Sequence, residues 1–289
     1  MKGIILTGGL GTRLYPSTLV VSKQLLPIFN KPMIYYSLST LMLADIREIL
    51  LITTREDIKN YKKLFGTGKK LGLKLTYLVQ KKPRGLVDAF ILGSKFIGNE
   101  DVCLILGDNI FYGDNFQGLL IDSKKIVIEK KRATIFTFPV KNPSDYGVAY
   151  TKNDKLISLV EKPKKPKSND AIVGLYFYPN SVKKYAKKIK FSKRGELEIT
   201  DLNKIYLKSE QLSVTKMGRG YAWFDAGSVE SFQEVSQFIR SIENRMGSKI
   251  GCVEEIAFNK KWISKKELLT NAKVYANSEY GKYLKSIIK

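Results

Sequence analysis

The chain has 289 residues, 44% of them hydrophobic, and 50 Lys and Arg against 27 Asp and Glu give it a formal charge of +23. The charge favours anionic partners such as phosphorylated substrates, although lysine is spread along the chain and a solvated lysine-rich surface is the simpler source of it. Histidine is absent and the two cysteines, Cys103 and Cys252, stand far apart, which excludes Ser–His–Asp and Cys–His catalysis, histidine-ligated metals and a disulfide framework. Chemistry must then rest on carboxylates, Lys, Arg and backbone amides, with or without a hard cation. No apolar run is long enough to span a bilayer, and the opening MKGIILTGGLGTR reads as a first strand rather than a signal peptide. The expectation is a cytoplasmic protein with neither nucleic acid nor membrane as partner.

In chain order, Lys2 to Leu6 is an apolar strand closed by Gly8, Gly9 and Gly11. Pro32 to Ala44 has helical spacing, Glu48 to Thr53 is a buried strand, Asp57 to Phe65 a short helix and Lys74 to Val79 a strand. Leu86 to Phe96 reads as a helix and Val102 to Leu106 (VCLIL) as a strand. Apolar strands alternating with helices predict a three-layer, Rossmann-like α/β fold with a mixed, mainly parallel sheet. From Thr134 the pattern shifts to short strands at Thr134–Val140, Gly147–Thr151, Leu156–Val160, Ile172–Tyr178, Leu212–Met217 and Tyr221–Phe224. Helices are expected at Ser181–Lys190, Ile199–Leu207 and Ser228–Ser241, with short helices from Glu254 on. The predicted organisation is a core over residues 1–240, its nucleotide part about 1–130 and its sugar part about 131–227, followed by a helical appendage over 241–289 suited to an interface.

The loop Leu6-Thr7-Gly8-Gly9-Leu10-Gly11-Thr12-Arg13 follows the first strand, where parallel sheets form their ligand crevice. Its glycines let backbone amides approach phosphate oxygens, and Arg13 with Lys23 adds cations, but the spacing is neither a Walker loop nor GxGxxG. On the loop alone, a tight turn with surface charges is an equal reading. Asp108 and Asp225 each follow an apolar strand; either one alone reads as a turn former or helix cap, and two carboxylates from distant strands can also share a hard cation.

GGLGTRL, SKQLLP (Ser22 to Pro27) and KPMIYY (Lys31 to Tyr36) resemble the signature of nucleotide-sugar pyrophosphorylases, and especially of bacterial glucose-1-phosphate thymidylyltransferases. The likeness continues through LGDNIFYG, YGV, EKP, GLYFY, RGELEITD, GRGYAWFDAGS and EEIAF, over almost the whole chain. The resemblance implies Mg²⁺ held by Asp108 and Asp225, and transfer of a thymidylyl group from dTTP to glucose 1-phosphate. It implies that Leu6, Gly8, Gly9, Gly11, Thr12, Arg13, Gln80, Gly85 and Asp108 bind the nucleotide. Leu86, Asn109, Gly147, Glu161, Lys162, Val173 and Arg194 would bind the sugar phosphate, and Arg13, Lys23 and Lys162 would neutralise charge during the reaction. The Gln80 amide would read the imide edge of the pyrimidine, which thymine and uracil share. UTP or another hexose 1-phosphate is thus the nearest alternative, and a catalytically idle nucleotide-sugar binding protein the alternative of another class.

Departures from the family pattern are Thr7 for alanine, Asp88 for glutamine and FDAG (Phe224 to Gly227) for LDTG. By resemblance, Tyr112, Gly113 and Arg219 match a regulatory nucleotide site, but Asp114 replaces a histidine and Asn259 an arginine. An added carboxylate and a lost cation predict weak end-product inhibition in a dTDP-rhamnose pathway. The resemblance also implies a homotetramer.

Overall fold

The computed structural model describes residues 1–9, 11–153 and 155–288. Its first half runs β1 (Lys2–Leu6), a two-residue ribbon of β2 (Pro27–Ile28) and β3 (Lys31–Pro32), α1 (Ile34–Leu43), β4 (Glu48–Thr53), α2 (Ile58–Phe65), β5 (Lys74–Val79), α3 (Asp88–Leu92), α4 (Ser94–Ile97) and β6 (Val102–Leu106). Strands β6, β1, β4 and β5 lie side by side in that order and all parallel. Their side chains alternate by face. Ile5, Ile49, Leu51, Cys103 and Ile105 join one buried cluster, and Ile4, Leu50, Ile52, Val102 and Leu104 the other. Layers on both faces explain why the inner strands β1, β4 and β6 carry continuous apolar runs, whereas the edge strand β5 has exposed Lys74 and Thr76.

The second half comprises β7 (Asn109–Gly113), α5 (Phe116–Lys130), β8 (Ala133–Pro139), β9 (Gly147–Lys152), β10 (Lys155–Glu161), β11 (Asp170–Tyr178), α6 (Val182–Ala186), α7 (Ile199–Lys208), β12 (Leu212–Lys216), β13 (Tyr221–Asp225), α8 (Val229–Met246), α9 (Val253–Asn259), α10 (Lys265–Val274) and α11 (Glu279–Ser286). β11 pairs antiparallel with β6 and with β8, β12 pairs parallel with β8, and the β9–β10 hairpin completes a sheet of nine strands. The mixed sheet with a parallel centre and helices on both faces agrees with the fold read from the sequence. β7 and β13 leave the main sheet as a separate antiparallel ribbon.

Several boundaries differ from the sequence reading. α1 starts at Ile34 because Pro32 pairs with Pro27 in the small ribbon. The helix expected over Leu86–Phe96 is two short helices separated by Gly93, where a β-carbon would lie 2.8 Å from the Ala89 carbonyl oxygen and 3.1 Å from Ile4. α6 ends at Ala186, and i→i−3 turns carry the chain to Ile189. α8 runs on past Ser241 to Met246, where Gly247 at φ 68° caps it, so residue 240 lies inside a helix. The sequence reading has no helix at Phe116–Lys130. Only Phe116, Leu120, Ser123 and Val127 of that segment are buried, which leaves a faint periodicity.

α1 is buried around its whole circumference from Ile34 to Met42. The sheet covers one side of it, and Cys252, Val253, Ala257, Leu268, Ala272, Tyr280 and Leu284 from the C-terminal helices share its cluster. Glu243 of α8 fastens this region. Its carboxylate accepts from Lys31 Nζ at 3.0 Å, Asn30 Nδ2 at 2.7 Å and the Ile250 amide at 3.0 Å, and lies 3.0 Å from Lys249 Nζ.

Candidate active site

The carboxyl ends of β1, β4, β5 and β6 open on one rim of the sheet, and the reversal of strand order between β1 and β6 makes that rim a crevice. A cavity of about 540 Å³ lies there, lined by Gly8 and Gly9 after β1, Thr54, Arg55 and Glu56 after β4, and Gln80, Lys81 and Pro83 after β5. Leu6 ends β1 beneath it, and the neighbouring Thr7 is buried with its hydroxyl donating to the Ile52 carbonyl at 2.9 Å. Gly9 takes φ 114°, a conformation that favours glycine. Gly11 at φ 60° starts a short 3₁₀ turn over Thr12–Leu14, and its carbonyl accepts from the Thr18 hydroxyl at 2.8 Å. That turn carries Arg13 across the crevice to Gly227, where a β-carbon would meet Arg13 Nη2 at 2.9 Å and Asp225 Oδ1 at 3.2 Å.

Asp108 and Asp225, 117 residues apart in sequence, meet at one end of the β7–β13 ribbon. Asp225 pairs in register with Asn109, and the Ala226 amide donates to the Asp108 carbonyl at 3.2 Å. Lys23 Nζ donates to Asp108 Oδ2, and Asn109 Nδ2 donates to Asp108 Oδ1 at 3.0 Å. Burial opposes ionisation of Asp108, yet the Lys23 ammonium and these hydrogen bonds hold its carboxyl below the usual range. Asp225 behaves oppositely. Burial and the neighbouring Asp108 charge push it up to about 6, against the pull of Lys23, Arg13 and Lys162. Lys23 is thus bonded to Asp108, and Arg13 borders Gly227 beside Asp225, on the same part of the rim.

The sugar end is built on the β9–β10 hairpin. Gly147 and Glu161 are register partners, and a β-carbon at Gly147 would lie 3.0 Å from Thr200 Oγ1 and 3.2 Å from Glu161 Oε2. Thr200 donates to Glu161 Oε2 at 2.5 Å, and Arg194 Nη1 reaches Glu161 Oε1 at 3.3 Å. Lys162 follows at φ 41°, its amide donating to the Tyr146 carbonyl at 3.0 Å. Arg194 also lies 3.4 Å from Glu196 and 3.6 Å from Glu198, so its charge is shared among three carboxylates.

The sequence model for nucleotidyl transferases matches residues 2–242. The chain belongs to the nucleotidyl transferase family. It is 50% identical over 290 aligned positions, covering all of both chains, to the glucose-1-phosphate thymidylyltransferase of Neisseria meningitidis serogroup A. It is 48% identical to the protein of that name from Mycolicibacterium smegmatis, covering 100% of this chain and 99% of the relative. Among solved structures it is similar to a Bacillus anthracis protein described as a putative glucose-1-phosphate thymidylyltransferase in complex with a sucrose, at TM-score 0.77 and 41% identity over 83% of this chain and 95% of that one.

The structure places the remaining candidate residues of this nucleotidyl transferase as follows. Asn109 is 2% exposed. Its Oδ1 accepts from the Gly174 amide at 2.9 Å and from Trp223 Nε1 at 2.7 Å, so the side chain braces Asp108. Val173 is likewise fully buried. Gly85 takes φ 95° and lies against Leu197, whose carbonyl oxygen would be 2.5 Å from a β-carbon there; Leu86 packs against the second cluster. Tyr112 and Gly113 are at the opposite end of the ribbon from the acid pair. The Tyr112 hydroxyl donates to Met246 Sδ at 3.3 Å, Gly113 lies against the Tyr221 ring, and the Asp114 amide donates to the carbonyl of Gly220, next to Arg219, at 3.4 Å. Asn259 ends α9. The sequence reading missed Thr54, Arg55, Lys81, Thr200 and Trp223. The first three were detectable from the strand-end rule already applied to Asp108. Thr200 and Trp223 emerge only from the three-dimensional pairing. No helix among the described residues is long and apolar enough to cross a membrane.

Proposed function

We propose that this chain transfers a thymidylyl group from dTTP to α-D-glucose 1-phosphate, giving dTDP-glucose and pyrophosphate. The observation that carries the reading is the meeting of Asp108 and Asp225 with Lys23 and Arg13 on the sheet rim. A phosphate oxygen of the sugar ester attacks the α-phosphorus, the bond to the bridging oxygen breaks, and pyrophosphate leaves. The attacking oxygen is already ionised, so no general base is required, and two anions must be brought together against repulsion. Arg13 and the Gly8 and Gly9 amides hold the triphosphate and the departing pyrophosphate. Lys162, with Arg194 once released from its carboxylates, faces the sugar phosphate. Glu161, fixed by Thr200, accepts from sugar hydroxyls.

The acid pair suits Mg²⁺, which takes one or two carboxylates and fills its shell with phosphate oxygens and water. Burial first, and then the Asp108 charge, push the Asp225 carboxyl up. Asp108 and Asp225 would hold the ion, and its chemistry there is neutralisation of the phosphate charges. Residues about 1–130 take the nucleotide and about 131–227 the sugar. The reading extends, on resemblance, to a cytoplasmic homotetramer, with 241–289 at an interface, and to weak end-product inhibition because of Asp114 and Asn259.

Turnover with Mg²⁺, dTTP and glucose 1-phosphate, followed by pyrophosphate release, tests the assignment. Asp225→Ala should lower kcat by about a hundredfold or more. Activity close to the parent's would overturn it. Gln80 meets an edge common to thymine and uracil, so the same assay with UTP decides the second reading.

A further inference from the structure

The amide of Gln80 is not free to turn. Its Nε2 donates to Asp88 Oδ2 at 2.9 Å, while its Oε1 lies over Gly8, where a β-carbon would come within 2.6 Å of it. Asp88 is itself buried, at 1% exposure. Its other oxygen, Oδ1, has no hydrogen-bond partner among the described residues and faces the Arg84 guanidinium at 3.8 Å. The segment is pinned from outside. Leu197 donates its amide to the Arg84 carbonyl at 2.8 Å, and its carbonyl accepts from the Val87 amide at 3.3 Å. An ionised carboxylate only accepts hydrogen bonds, so the amide nitrogen must turn toward it and the amide oxygen toward the cavity wall at Gly8.

We propose that Asp88 is a positioning residue that fixes which end of the Gln80 amide meets the base, and so selects a base with a proton on N3 over one whose N3 is an acceptor. The inference rests on the reading of Gln80 as the base contact. Thymine and uracil present N3–H to the waiting Oε1. Cytosine presents a lone pair there, so that two acceptors face one another and a buried polar group goes unpaired. Arg84 makes the arrangement sensitive to a single atom. In an Asp88→Asn variant the guanidinium attracts the new amide's oxygen, its nitrogen turns to Gln80, and Gln80 rotates to offer Nε2 to the base. That face suits cytosine, whose N3 accepts.

The test compares kcat/KM for dTTP and dCTP in the parent, Asp88→Asn, Gln80→Ala and the double variant, with thermal unfolding of each. Asp88→Asn should lower the dTTP-to-dCTP ratio about tenfold or more, with the loss falling on KM for dTTP rather than on kcat. The double variant should match Gln80→Ala alone, because Asp88 acts only through the glutamine. An unchanged ratio in a cooperatively folding Asp88→Asn variant overturns the proposal. So does the same further drop in the Gln80→Ala background. If Asp88→Asn does not fold, Asp88→Leu, of similar shape and no polarity, should erode the ratio by freeing Gln80, and an unchanged ratio there is equally fatal. If Gln80→Ala itself leaves the ratio intact, the base contact has been misread, an outcome distinct from failure of Asp88 alone.

Discussion

Asp108 is held from three sides: Lys23 at one oxygen, the Asn109 amide at the other, and the Ala226 amide at its own carbonyl. Each contact was accessible to sequence reasoning to a different degree. A carboxylate after an apolar strand points into the crevice by topology alone, so Asp108 and Asp225 could be nominated as candidates without coordinates. The direction of the Asn109 side chain could not, because it depends on Trp223 arriving from a strand more than a hundred residues away. Gly147 and Gly85 illustrate two reasons for glycine. At Gly147 the space is limited, and Gly147→Ala should raise KM for the sugar phosphate several-fold by pressing on Glu161 and Thr200, as initial rates at varied sugar phosphate would report. At Gly85 both backbone angle and space forbid a side chain. Gly85→Ala should cost about 1–3 kcal/mol of stability in denaturant unfolding from its φ of 95° alone.

The β7–β13 ribbon is the element that makes the site. Five residue pairs join it, with the acid pair at one end and the Tyr112–Gly113 region at the other, about 13 Å away by strand rise. Its strength depends on the Trp223–Asn109 bond. Trp223→Phe keeps the ring packing against Tyr146 but removes the donor, and should lower stability by about 1 kcal/mol. Activity should fall with it, since Asn109 loses the partner that aims it at Asp108. Equal activity in parent and variant would show that the brace is dispensable. The β13 half of this ribbon was legible as an apolar strand. The β7 half was not, because LGDNIFYG reads equally as the loop that follows VCLIL. Gly93 is the converse case, where helical spacing runs through a glycine and the break is imposed by the close approach of Ile4.

At the scale of the whole molecule, the parallel centre was plain because a strand covered on both faces has no polar alternation to obscure it. What the sequence hid was the covering of α1. Its burial on every side is intelligible only once the helices from Cys252 onward are seen against it. Glu243 ties the two together, and with Lys31 at 3% side-chain exposure and Glu243 at 0% the pair is deeply buried. Glu243→Ala should cost about 3–5 kcal/mol in urea unfolding, because it strands the Lys31 ammonium in the interior. Burial pushes the Glu243 carboxyl up, but Lys31, Lys249 and the Ile250 amide outweigh it and hold it below its ordinary value. Its contribution is therefore complete above the ordinary carboxylate pKa of about 4.5 and lost as pH falls through the lower folded value. The stability gap between parent and Glu243→Gln should narrow on going from about pH 7 to about pH 3.

The burial of α1 also sets an order of events. α1 leaves the ribosome roughly two hundred residues before the helices that cover its outer side, so that side lacks its folded neighbours until they follow.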